Sequence, residues 1–129
     1  MVRRPHVYLL DEPLTGLDDS FAGLIQLGAH AMMGTPDGVL CHTQSSRSEN
    51  RYWYNGVESG ELAQCAAIAG HYGIPTIMVT GDVATCREAR KFFGTECVTV
   101  AVRRVNLDRS KGPSLLDHVD RKRYTILPN

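Results

Sequence analysis

Two histidines and a glutamate, His30, His42 and Glu61, and an acidic pair, Asp11 and Glu12, are the side chains of this sequence whose types best suit chemistry. Neutral imidazole nitrogen and carboxylate oxygen are both zinc-compatible donors. His30 and His42 flank the small-residue stretch Gly34-Thr-Pro-Asp-Gly38, so one loop can bring both to the same edge of a fold. Glu61 opens a stretch of helical periodicity, where the macrodipole favours a carboxylate. Residue type alone leaves these roles open, because a histidine at a strand end is ordinarily a surface or hydrogen-bonded residue. Asp11 and Glu12 end an apolar run, as a strand feeding a loop would. The four cysteines, Cys41, Cys65, Cys86 and Cys97, contain no C-x-x-C pair and read as reduced, mostly buried residues.

The elements that must position these groups come from a chain of 129 residues with 43% apolar residues, 14 Lys plus Arg and 14 Asp plus Glu. That length supports one core, and we expect a single domain over residues 1–129, with its core at 16–103 and a divergent tail at 104–129. Zero net charge removes the basic footprint of a nucleic-acid binder, and no apolar run approaches the ~18 residues of a membrane span. The expected partners therefore include no nucleic acid and no membrane. A short, polar N-terminus without a signal-peptide pattern points to the cytoplasm.

Apolar runs at residues 7–10, 24–28, 39–43 and 52–54 predict strands, the last beside an Asn-Gly turn signal. From Ser59, a plausible N-cap, Leu62, Cys65, Ala66 and Ala69 recur at helical spacing until Gly73. Residues 76–80 predict a buried strand, Asp82 caps a second helix that ends at Gly94, and residues 97–102 predict the last strand. This alternation predicts an α/β fold with a mostly parallel sheet flanked by helices. Only residues 114–119 of the tail have helical character.

Val7-Tyr-Leu-Leu-Asp-Glu-Pro-Leu-Thr-Gly-Leu-Asp18 resembles the Walker B strand of ABC-transporter ATPases. In that family the residue matching Asp11 helps hold magnesium and the one matching Glu12 polarises water. Yet the sequence has no G-x-x-x-x-G-K-[ST] loop to cradle phosphates and no Ser-Gly-Gly signature. An ATPase fragment is accordingly the second alternative.

A longer resemblance runs through Gly16-Leu-Asp-Asp-Ser-Phe21, Leu27-Gly-Ala-His30, Gly34-Thr-Pro-Asp-Gly-Val-Leu-Cys-His-Thr43, Asn55-Gly-Val-Glu-Ser-Gly-Glu61, Ala69-Gly-His-Tyr-Gly-Ile-Pro75 and Val79-Thr-Gly-Asp82. These segments, in order over about residues 16–103, are similar to the zinc-dependent D-aminopeptidases of the DppA-like family. The resemblance implies an α/β fold, a two-zinc site, hydrolysis of peptides with an N-terminal D-residue such as D-Ala-D-Ala, and ring-shaped homo-oligomers. It matches His30 and Glu61 to zinc ligands and His42 to a histidine that acts in catalysis.

The sequence also departs from that family. Members begin with an Asp-x-Glu strand whose two acids ligate zinc, and this chain has adjacent Asp11 and Glu12, which a strand points to opposite faces. Val83 stands where the family has a second Asp after Thr-Gly-Asp. The expectation is a shortened D-aminopeptidase with at most one weak zinc site, and the first alternative is a non-catalytic oligomeric domain that keeps the fold.

Overall fold

The computed structural model describes residues 16–103. The apolar run expected at residues 76–80 becomes its central strand, β4 (Thr76–Asp82). A strand apolar on both faces suits the middle of a parallel sheet. It pairs in parallel with β1 (Leu24–Gln26) on one side and β5 (Val98–Arg103) on the other, which gives the sheet order β1-β4-β5. The chain therefore has the α/β architecture that its sequence predicts.

Two helices, α1 (Glu61–His71) and α2 (Val83–Phe93), link these strands. Register places Val79 beside Gln26 and Thr99, and Met78 beside Ile25 and Val98. Alternate residues face opposite sides of a sheet. The Val79 face receives the helices, and Leu62 of α1, Ala89 of α2, Val79 and Cys97 form the buried core. The other face leaves Ile25, Val98, Val100 and Val102 exposed. Of the cysteines, Cys86 and Cys97 are buried and Cys41 and Cys65 half-buried, all as thiols.

Helix ends follow local chemistry with one change. Asp82 caps α2 as expected, its Oδ1 accepting the Thr85 N–H at 2.7 Å, and Gly94 ends the helix at φ 73°, where glycine pays no Cβ penalty. Gly60, and not Ser59, is the N-cap of α1. Ser59 is buried and its hydroxyl donates to the Val57 carbonyl at 3.0 Å, so it is already committed to the preceding turn.

Two strand expectations also change. Residues 39–43 form a loop because the Val39 N–H donates to the Asp82 carboxylate and the His42 N–H to the Ala31 carbonyl, which bends the segment away from any ladder. Leu40 completes the bend at φ 54°. The Asn-Gly signal yields a hairpin, in which β2 (Trp53–Tyr54) and β3 (Val57–Glu58) pair antiparallel across Asn55 and Gly56, both left-handed. Trp53 and Tyr54 lie exposed on this ribbon.

The strand expected at residues 7–10, the acids Asp11 and Glu12, and the helix expected at residues 114–119 lie outside the described residues. Among the described residues no helix is long and apolar enough to cross a membrane.

Candidate metal centre

Leaving β1, the chain turns at Gly28 (φ 66°), whose N–H donates to Thr80 Oγ1 at 2.8 Å, and the Ala29 N–H donates to the Thr80 carbonyl at 2.8 Å. These bonds lay residues 28–30 across the end of β4. Gly81 makes the crossing possible, because a Cβ there would stand 2.5 Å from the Ala29 oxygen. His30 is thereby delivered to the carboxyl edge of the parallel strands, where open α/β sheets bind their ligands. The loop of residues 31–43 folds back to bring His42 beside it, and the chain leaves the β2–β3 hairpin at Glu58 and passes through Ser59 and the N-cap Gly60, so that Glu61 enters as the first residue of α1.

All three sequence-predicted site residues meet here. One donor atom from each of His30, His42 and Glu61 lies within 4.8 Å of the other two. His30 Nε2 is 3.5 Å from Glu61 Oε2, and His42 Nε2 is 3.9 Å from Glu61 Oε1. Each side chain is about a quarter exposed, at 23% for either histidine and 29% for Glu61, so solutes reach the cluster.

Ring orientation is set from the backbone. His30 Nδ1 faces the Ala31 carbonyl at 3.2 Å, and His42 Nδ1 faces the Leu40 carbonyl at 2.6 Å. A carbonyl only accepts, so each Nδ1 donates, and in the neutral ring this directs the Nε2 lone pair at the cluster. This backbone-fixed tautomer is the one that histidine ligands use.

The donor set fits zinc, with a division between the histidines. Two donors each about 2.0–2.2 Å from a tetrahedral zinc stand roughly 3.3–3.5 Å apart, which the His30–Glu61 Oε2 pair matches. Glu61 Oε1, which faces His42, already accepts the Gln44 N–H. The two imidazoles are stacked, with centroids 3.8 Å apart and planes 19° from parallel. An imidazole lone pair lies in its ring plane, and stacked, nearly parallel planes do not meet near the rings. One small ion can be ligated in-plane by one of these histidines together with Glu61, and not by both.

Helix α2 ties down the loop that carries the two histidines. Asp82 accepts from Val39, from the Thr85 N–H at 2.7 Å and from the Thr85 hydroxyl at 2.6 Å. Arg87 donates in a fork to Asp37 at 2.6 and 2.9 Å and holds its carboxyl below the usual range. Glu88 Oε2 accepts the Met32 N–H at 2.8 Å. Asp82 was legible only as a helix cap, and Arg87 and Glu88 are not singled out by any motif. The available signal was Glu88 itself, a charge four residues after Ala84 on a stripe the helix buries.

Burial pushes the Glu88 carboxyl above its ordinary value of 4.5, with the Met32 N–H opposing. The folded chain thus keeps this proton at a pH where the unfolded chain has lost it, and stability falls as pH rises through that window. Glu88→Gln should flatten the fall. Denaturant midpoints measured across about pH 4–8 check this, and parallel declines in variant and parent would contradict it.

A family model described as D-aminopeptidase matches residues 11–114. The D-aminopeptidase of Bacillus subtilis is 37% identical over 95 residues, which cover 74% of this chain and 33% of that protein. The solved structure of the Zn-dependent D-aminopeptidase DppA from Bacillus subtilis, described as a self-compartmentalizing protease, superposes with a TM-score of 0.59 and 39% identity over 67% of this chain and 31% of that one. The chain therefore spans about a third of the length of these relatives. Shorter likenesses extend to thiazole synthases, 53% identical over 48 residues in Pelagibacter ubique and 51% over 67 residues in Citrifermentans bemidjiense. These cover 37% and 48% of this chain, and 19% and 25% of those proteins.

Proposed function

This chain belongs to the D-aminopeptidase family, and from that premise we propose that it is a zinc-dependent aminopeptidase acting on short peptides with an N-terminal D-residue, of the D-Ala-D-Ala type. The observation that carries this is the convergence of His30, His42 and Glu61 at the carboxyl edge of the sheet. His30 Nε2 and Glu61 Oε2 are the proposed ligands of one zinc ion, and two protein ligands make a weak site. His42 is the proposed catalytic residue.

Bound zinc would supply Lewis acidity, polarising the scissile carbonyl and acidifying a water. Everything else falls to the chain. His42, oriented by its Nδ1 contact with the Leu40 carbonyl, takes a proton from the attacking water at Nε2 and returns it to the leaving amine. Stacking against His30 keeps its ring within reach of the ligands without consuming its Nε2. The Gln44 N–H holds Glu61 Oε1, so that Oε2 remains for the ion.

The expected setting is the cytoplasm, and the expected assembly is a homo-oligomer, in keeping with the self-compartmentalizing description of the Bacillus subtilis relative. Incubation of the protein with zinc and either D-Ala-D-Ala or L-Ala-L-Ala tests the activity. Release of alanine from the D-dipeptide alone is the predicted result. Failure to cleave either dipeptide with zinc bound would leave the non-catalytic oligomeric domain in its place.

A further inference from the structure

We infer that Glu88 is a positioning residue that holds the His30 loop and the first turn of α1 at the separation the metal ligands require. This rests on the metal-centre reading above. Glu88 is only 7% exposed, yet it lies on the second turn of a helix whose other buried residues are small or apolar apart from Thr85. Burying a carboxyl is costly unless its oxygens are hydrogen-bonded. One oxygen is bonded, to the Met32 N–H at 2.8 Å, and the other, Oε1, is buried with no hydrogen-bond partner among the described residues. Packing alone would be served better by leucine or methionine.

The place where that side chain ends explains its retention. A Cβ on Gly60 would come 2.8 Å from Glu88 Oε1 and 2.6 Å from Met32 Cβ, so Glu88, Met32 and Gly60 close on one point. Met32 is two residues beyond His30, and Gly60 is bonded directly to Glu61. The carboxyl is therefore a spacer between the two backbone segments that carry the proposed ligands. It grips one of them through Met32 and abuts the other at Gly60. Its oxygen also faces a helix start that has no side-chain cap, where the macrodipole favours negative or polar oxygen. No equivalent grip reaches α1 through Asp82 or Arg87, whose bonds go to Val39 and Asp37.

Three variants test the assignment, with Co²⁺ as a spectroscopic substitute for zinc. Glu88→Gln keeps the shape and the acceptor for Met32, Glu88→Leu keeps the bulk and deletes the acceptor, and Gly60→Ala crowds the same point. Gly60 sits at φ −81°, which alanine adopts without strain, so that variant reports crowding alone. Glu88→Leu and Gly60→Ala should each weaken Co²⁺ binding by about 10–100-fold, the range for groups that orient ligands, and should alter the visible spectrum, while Glu88→Gln stays within a factor of about three of the parent.

Equal Co²⁺ affinity in parent, Glu88→Leu and Gly60→Ala would overturn the proposal, and if Glu88→Leu does not fold, Gly60→Ala decides alone. Ring ¹⁵N shifts of the metal-free protein separate this proposal from the metal-centre reading. The His30 signals should move in Glu88→Leu and Gly60→Ala while those of exposed His71 stay in place. A parent that binds no Co²⁺ but shows those shifts would defeat the metal centre and keep the positioning role. Unmoved His30 signals would defeat the positioning role whatever the metal does.

Discussion

Glu61→Ala is expected to weaken zinc binding by more than about 100-fold, beyond the loss that an outer-shell partner produces. Glu61 supplies the one carboxylate of the cluster, and its Oε2 faces His30 Nε2 at the 3.5 Å separation that suits a shared zinc. With two ligands proposed, removing either leaves a single imidazole or a single carboxylate, and neither alone holds zinc against water. His30→Ala should therefore match it. Zinc titration by calorimetry checks both, with circular dichroism to establish that each variant is folded. Unchanged affinity in the two variants would remove the metal assignment and leave only the family fold.

His42→Ala is expected to separate binding from turnover. Zinc affinity should stay within a few-fold of the parent, because the stacked rings do not share an in-plane ion, whereas hydrolysis of D-Ala-D-Ala should fall by about 10²–10⁴-fold, the typical contribution of one general acid–base group. Steady-state rates at saturating zinc, beside a zinc titration of the same variant, provide the measurement. Loss of zinc together with activity would make His42 a ligand and return His30 or Glu61 to another role. Undiminished hydrolysis would take His42 out of the chemistry.

Much of the positioning frame was legible because its signals are local. A seven-residue strand with Asp82 at its end, an apolar stripe through Cys86 and Ala89, and a glycine at 94 specify β4 and α2 by composition and capping alone. The site trio was legible only through the resemblance to the D-aminopeptidase family, and the fold does bring His30, His42 and Glu61 to one edge. What composition missed is set by contacts distant in sequence. The run Val39-Leu-Cys has strand propensity, but Asp82, 43 residues away, captures the Val39 N–H and turns the segment into a loop. Ser59 looked like a cap because the type is right, whereas its hydroxyl was already used by Val57. Glu88 looked like any helix acid, since nothing near it in sequence reveals that Met32, 56 residues earlier, donates to it.

The central claim is that His30 and Glu61 together form a zinc centre, and anomalous diffraction at the zinc edge from zinc-soaked crystals tests it most directly. The predicted result is a single strong peak within bonding distance of His30 Nε2 and Glu61 Oε2, with His42 beside it and not bonded to it. A peak bound elsewhere on the chain, with no density between His30 and Glu61, would contradict it.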